Sequence, residues 1–221
     1  MSLLAAAGAG LAAGLVHVLT GPDHLTAVAP LTAARAAPGW RVGAAWGVGH
    51  SFGVAALAAI AIAASGWLRP EWVAAVSERL IGVVLVGVGC WGIARAFARW
   101  TASREHRHGD TAHSHAHWRV PGREGGSGGV LHSHAPLWIG ALHGLAGGTH
   151  LLGALAALAL PVGPALVFLG GFAAGTVGGM TAFTAAVGRM SLALPGRLAA
   201  QALLGAVSAA SVAVGAVWLF A

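Results

Sequence analysis

Long apolar runs separated by short polar ones organise this chain of 221 residues. Six runs are long enough to cross a bilayer core of about 30 Å as helices. They are Leu3–Pro30, Val42–Ala64, Leu80–Phe97, Leu137–Leu160, Ala165–Val187 and Leu198–Phe220. The third is the shortest and extends towards Val73 on a more generous reading. Between the third and fourth runs the chain turns polar, Gly-rich and poor in aliphatics. The pattern predicts an all-α integral membrane protein with six transmembrane helices. Its parts are a three-helix repeat over 1–100, a His-rich loop over 101–136 and a second three-helix repeat over 137–221.

Composition agrees with that picture. The chain is 57% hydrophobic and 8% charged, with a mean hydropathy of +0.78, where a soluble domain carries about 25% charged residues. The formal charge of +6 comes from twelve arginines and no lysine against six acidic residues. Ten of the arginines flank alternate connections: Arg35 and Arg41; Arg95, Arg99, Arg104, Arg107, Arg119 and Arg123; Arg189 and Arg197. Only Arg69 and Arg79 fall on the other side. This is the footprint of membrane topology, not of nucleic-acid binding. It predicts a multi-pass protein of a bacterial inner membrane, with the central loop cytoplasmic and both termini outside. The N-terminus lacks the basic region of a signal peptide, and its first charged side chain is Asp23, so the first run is read as a retained span. The single cysteine, Cys90, excludes an intramolecular disulfide and a two-thiol redox centre. No phosphate-binding Gly-x-x-x-x-Gly-Lys-Ser/Thr occurs, so ATP does not supply the driving force, and nothing indicates an enzyme.

Polar side chains within the spans are few, and they are organised. His17 and His24 recur 126 positions later as His143 and His150. The same offset aligns Gly14 with Gly140, Leu19 with Leu145, Gly21 with Gly147, Pro38 with Pro164, Gly49 with Gly175, Gly53 with Gly179 and Gly89 with Gly215. Three spans per half is an odd number, so the halves of such a repeat face opposite ways, an architecture that places substrate near the midplane. Ladders of small residues, such as Gly140, Gly144 and Gly148, fit close helix packing.

In a continuous helix, seven residues is nearly two turns, so His17 and His24 share a face, as do His143 and His150. Asp23 is the only acidic residue within a span. Pro22 removes one backbone hydrogen bond and Gly21 eases a local distortion, which points to an interruption at membrane depth. A further histidine, His50, lies in Gly47-Val48-Gly49-His50-Ser51. Imidazole and carboxylate without thiolate suit nickel, cobalt, zinc or iron better than Cu(I). His17, Asp23, His24 and His50 are therefore the candidate metal ligands, and a proton relay is the competing use of the same groups. His143 and His150 either continue the path or make interhelical hydrogen bonds. The loop histidines His106, His108, His113, His115, His117, His132 and His134 suit looser metal contacts.

The run His17-Val18-Leu19-Thr20-Gly21-Pro22-Asp23-His24, followed by Gly47-Val48-Gly49-His50-Ser51, resembles the nickel/cobalt transporter (NiCoT) family. Within it the nearest branch is that of the small urease-accessory membrane proteins of the UreH type, echoed in the second half by Leu142-His143-Gly144-Leu145-Ala146-Gly147. The resemblance implies metal recognition by His17, Asp23, His24 and His50. This chain has five residues between His17 and Asp23 where the larger permeases have four, and no acidic residue in its second half. The expected function is thus transport of a divalent cation, Ni²⁺ or Co²⁺, with no permanently bound cofactor. The expected partners are the lipid bilayer, the metal ion and a cytoplasmic metallochaperone, with no nucleic acid. The alternative is a non-transporting accessory protein that delivers nickel to a metalloenzyme such as urease. A thiol–disulfide carrier needs a second cysteine that the chain lacks.

Overall fold

The computed structural model describes residues 1–34, 38–63, 70–101, 130–146, 157 and 159–220. Among these residues there are seven helices and no strand. They are α1 (Leu3–Thr20), α2 (Pro22–Ala33), α3 (Gly39–Ala63), α4 (Pro70–Thr101), α5 (Val130–Ala146), α6 (Val162–Ala193) and α7 (Gly196–Phe220). Five of them, α1, α3, α4, α6 and α7, are long and apolar enough to cross a membrane. Large apolar side chains such as Leu4, Phe52, Trp138, Leu192 and Phe220 lie exposed on the outside of the bundle. Such a surface suits a lipid bilayer, which needs no polar shell.

Two boundaries differ from the sequence pattern for local reasons. The first apolar run is two helices. Ser2 caps α1 by accepting from the Ala5 N–H at 3.2 Å, and α1 ends at Thr20 because Gly21 turns extended (φ −88°, ψ 99°). Pro22 then occupies the first turn of α2, where its missing N–H costs nothing. At 12 residues, α2 is too short to span a bilayer. The fourth run begins early: α5 starts at Val130 and carries Pro136 inside it, so His132 and His134 belong to a helix and not to the loop. Of the rest of that expected span, residues 147–156 and 158 lie outside the described residues.

Backbone-close packing at glycines assembles the bundle. The α1 helix lies against α6, α3 against both α5 and α6, and α4 against α7, while α2 touches α4, α6 and α7. Side chains added at Gly10 and Gly14 would meet the backbone at Phe168 and Phe172, and ones at Gly49 and Gly53 would meet the backbone at Leu137 and Ala141. Many of these contacts occur in pairs. Gly49 rests on Leu137 and Ala141, and Gly175 rests on Leu11 and Leu15, every member 126 positions from its counterpart. Gly140 on Trp46 matches Gly14 on Phe172, and Gly89 on Ser208 and Val212 matches Gly215 on Gly82 and Val86. Between α4 and α7, the Ser211 hydroxyl donates to the carbonyl of Leu85, its own counterpart, at 2.9 Å.

Candidate metal centre

The break at Gly21 creates the site. Along an unbroken helix His17 and His24 would sit roughly 10 Å apart along the axis, yet their ring centroids are 4.6 Å apart, edge to face. The interruption, and not a shared helix face, brings them together. What calls for glycine there is space: a Cβ at position 21 would strike the His24 ring and crowd the Asp23 carboxylate.

Restarting the helix at Pro22 places Asp23 and His24 in the first turn of α2, both buried. The favourable end of the helix dipole faces the carboxylate there. Asp23 then joins two elements. His24 Nδ1 donates to Asp23 Oδ1 at 3.0 Å, and His143 Nε2 donates to Asp23 Oδ2 at 3.1 Å. Both bonds are shielded from solvent, where a carboxylate needs such partners.

The third element is α3, which delivers His50, fully buried, with its centroid 4.9 Å from His24 and 5.7 Å from His17. The fourth is α5. Gly140 and Gly144 bring α5 onto the α3 backbone at Trp46 and His50, and this carries His143 to 5.8 Å from His50 and 5.0 Å from His24. His17, Asp23, His24, His50 and His143, four imidazoles and one carboxylate, thus meet from four helices. Their ligand atoms form two triads that could each hold a metal ion, His17/His24/His50 and Asp23/His24/His143, with the atoms in each within 4.8 Å of one another. A cavity of about 210 Å³ reaches the cluster, lined by His17, Thr20, Gly21, Pro22, Asp23, His24 and Trp218.

The structure therefore joins four residues read as one candidate site, His17, Asp23, His24 and His50, and adds His143 to the same cluster instead of to a separate stretch of path. His150 and the loop histidines His106, His108, His113, His115 and His117 lie outside the described residues. His132 falls within α5, and His134 is exposed there, apart from the cluster. Trp46 is a site residue that the sequence motifs do not single out. Its ring stacks on His50 at 4.9 Å and 7°, and also meets His24 and His143 at 5.6 Å and 5.3 Å. Its one signal in the sequence is an aromatic at i−4 from His50, one helical turn earlier on the same face. Phe172, 126 residues further on, takes the corresponding place beside His17 at 5.3 Å.

Comparisons with protein-family models, characterised proteins and solved structures gave no match. Fold and site define a protein of membrane character, all-helical among the described residues, with a His/Asp group able to hold a metal.

Proposed function

We propose that this chain carries a divalent transition-metal cation, Ni²⁺ or Co²⁺, across a bacterial inner membrane through the cluster of His17, Asp23, His24, His50 and His143. One observation carries the reading: four imidazoles and one carboxylate converge from four helices inside the bundle. Groups of that kind are costly within a membrane and are retained there for binding or conduction. Four neutral nitrogen donors and one anion suit a borderline dication. The cavity at Gly21 gives that ion a way in. The NiCoT resemblance of the same residues favours nickel and cobalt among such metals.

The architecture we assign is an inverted repeat of three plus three spans. Its support is the paired contacts at an offset of 126, including Gly49 with Gly175 and Gly140 with Gly14. Helices α1, α3, α4, α6 and α7 would then be spans, with α5 and the residues after it supplying the remaining one. Arg41 over Trp40 (5.4 Å) and Arg95 over Trp91 (5.5 Å) suit interfacial anchors on the loop side. That side is taken as cytoplasmic, where the loop histidines would receive imported ion or load ion for export.

The test is total cellular nickel and cobalt by mass spectrometry in cells with this chain, with His24→Ala at equal membrane level, and with empty vector. Raised content lost in the variant is import through the cluster, and lowered content restored in the variant is export. Identical content in all three refutes transport of these metals.

A further inference from the structure

Five potential ligands could make one composite site, but their atoms close into two triads that overlap in a single residue, His24. The triads also differ in depth. His17/His24/His50 contains the one member of the cluster that is only partly buried, His17, whereas Asp23, His24 and His143 are all buried. The cavity touches two members of each triad, His17 and His24 of one and Asp23 and His24 of the other, so the difference in depth rests on the exposure of His17.

A neutral imidazole has one nitrogen with a lone pair and one carrying hydrogen. His24 therefore offers a single donor to metal, and both triads require it. With Nδ1 donating its proton to Asp23 Oδ1, as the 3.0 Å contact has it, the lone pair lies on Nε2. Two dications a few Å apart would in addition share one carboxylate. From this geometry we propose that the cluster is a pair of mutually exclusive stations for one cation. His17/His24/His50 is the outer station, Asp23/His24/His143 the inner one, and His24 is the ligand that holds the ion in either. The outer station is all-imidazole and the inner one includes the anion, so an ion arriving through the cavity moves towards the carboxylate.

This rests on the cluster binding metal as proposed above, and the experiment separates the two. Co²⁺ alone is titrated into the full chain, purified in detergent. The loop histidines His106, His108, His113, His115, His117, His132 and His134 are replaced by serine in every form compared, wild type at the cluster included. Only metal in the cluster is then counted, and the visible d–d spectrum is recorded. The wild type should bind one ion per chain. His50→Gln and His143→Gln should each still bind one ion, with spectra that differ from one another. If the stations are equally filled, each loss weakens apparent affinity by only about twofold. The double variant His50→Gln/His143→Gln should bind none while remaining monodisperse on size exclusion. Two ions per wild-type chain would overturn exclusivity, and abolition of binding by either single variant would show one composite site. A folded wild type that binds no Co²⁺ would remove the metal site itself.

Discussion

Gly21→Ala isolates the helix break from the ligands. The backbone at Gly21 (φ −88°, ψ 99°) lies in a region open to any residue, so alanine brings no conformational strain. What it brings is a methyl group where the His24 ring and the Asp23 carboxylate already lie. The ring must move, and its movement breaks the 3.0 Å hydrogen bond from His24 Nδ1 to Asp23 Oδ1. A hydrogen bond to a charged group is worth about 1.5–3 kcal/mol. If that preorganisation supports binding, metal affinity should fall about 10- to 100-fold. The same substitution at Gly8 or Gly178, where an added Cβ meets nothing within 4 Å, is the control. It should leave affinity unchanged and stabilise its helix by up to about 1 kcal/mol. Calorimetric titration of Co²⁺ into the wild type and these variants, each purified, measures the difference. Wild-type affinity in Gly21→Ala would refute the argument that this glycine holds the ligands in place.

Asp23→Asn keeps the shape and removes the only carboxylate of the cluster, so metal-dependent change in cell content should vanish while membrane insertion, followed by fractionation, stays normal. Trp46→Ala should lower the melting temperature, since truncating a buried tryptophan costs about 3–5 kcal/mol, whereas Trp46→Phe keeps a ring against His50 and should retain most metal binding. Gly144→Leu places a side chain against the α3 backbone at His50 and Val54; it should destabilise the protein by about 1–3 kcal/mol or more and weaken Co²⁺ binding by withdrawing His143, and an unchanged melt would contradict the packing. Replacing His106, His108, His113, His115 and His117 with serine should spare Co²⁺ binding at the cluster, measured on the purified chain, and total loss would favour the accessory role over transport.

The long apolar runs reveal helices and their membrane character because length and hydropathy alone decide those properties. Boundaries are harder. Hydropathy is blind to Gly21, which is apolar enough to continue the run Leu3–Pro30, although its extended backbone ends α1. Pro22 does mark an interruption, since its missing N–H is a backbone property written in the residue type. At α5 the difficulty is reversed: polar His132 and His134 resemble loop, but a helix start tolerates polar side chains, and α5 reaches back to Val130.

For the site, residue type is legible in the sequence and partnership is not. The recurrence of His17 and His24 as His143 and His150 suggests two separate pairs, one for each half. Pair contacts across the bundle lead elsewhere. Because α5 lies on α3 through Gly140, Gly144, Gly49 and Gly53, His143 stands beside Trp46 and His50. Because α1 lies on α6 through Gly10, Gly14 and Gly175, His17 stands beside Phe172, with Thr176 the counterpart of His50. Each of these histidines is carried by one segment and faces a helix of the other. A cluster built this way needs both segments, and the acidic residue is required only once, at Asp23, where both its oxygens are already engaged by a histidine from each segment. A second carboxylate at that centre would leave the empty site with another buried anion to compensate, a cost that the single acid at Asp23, held by two histidines, avoids.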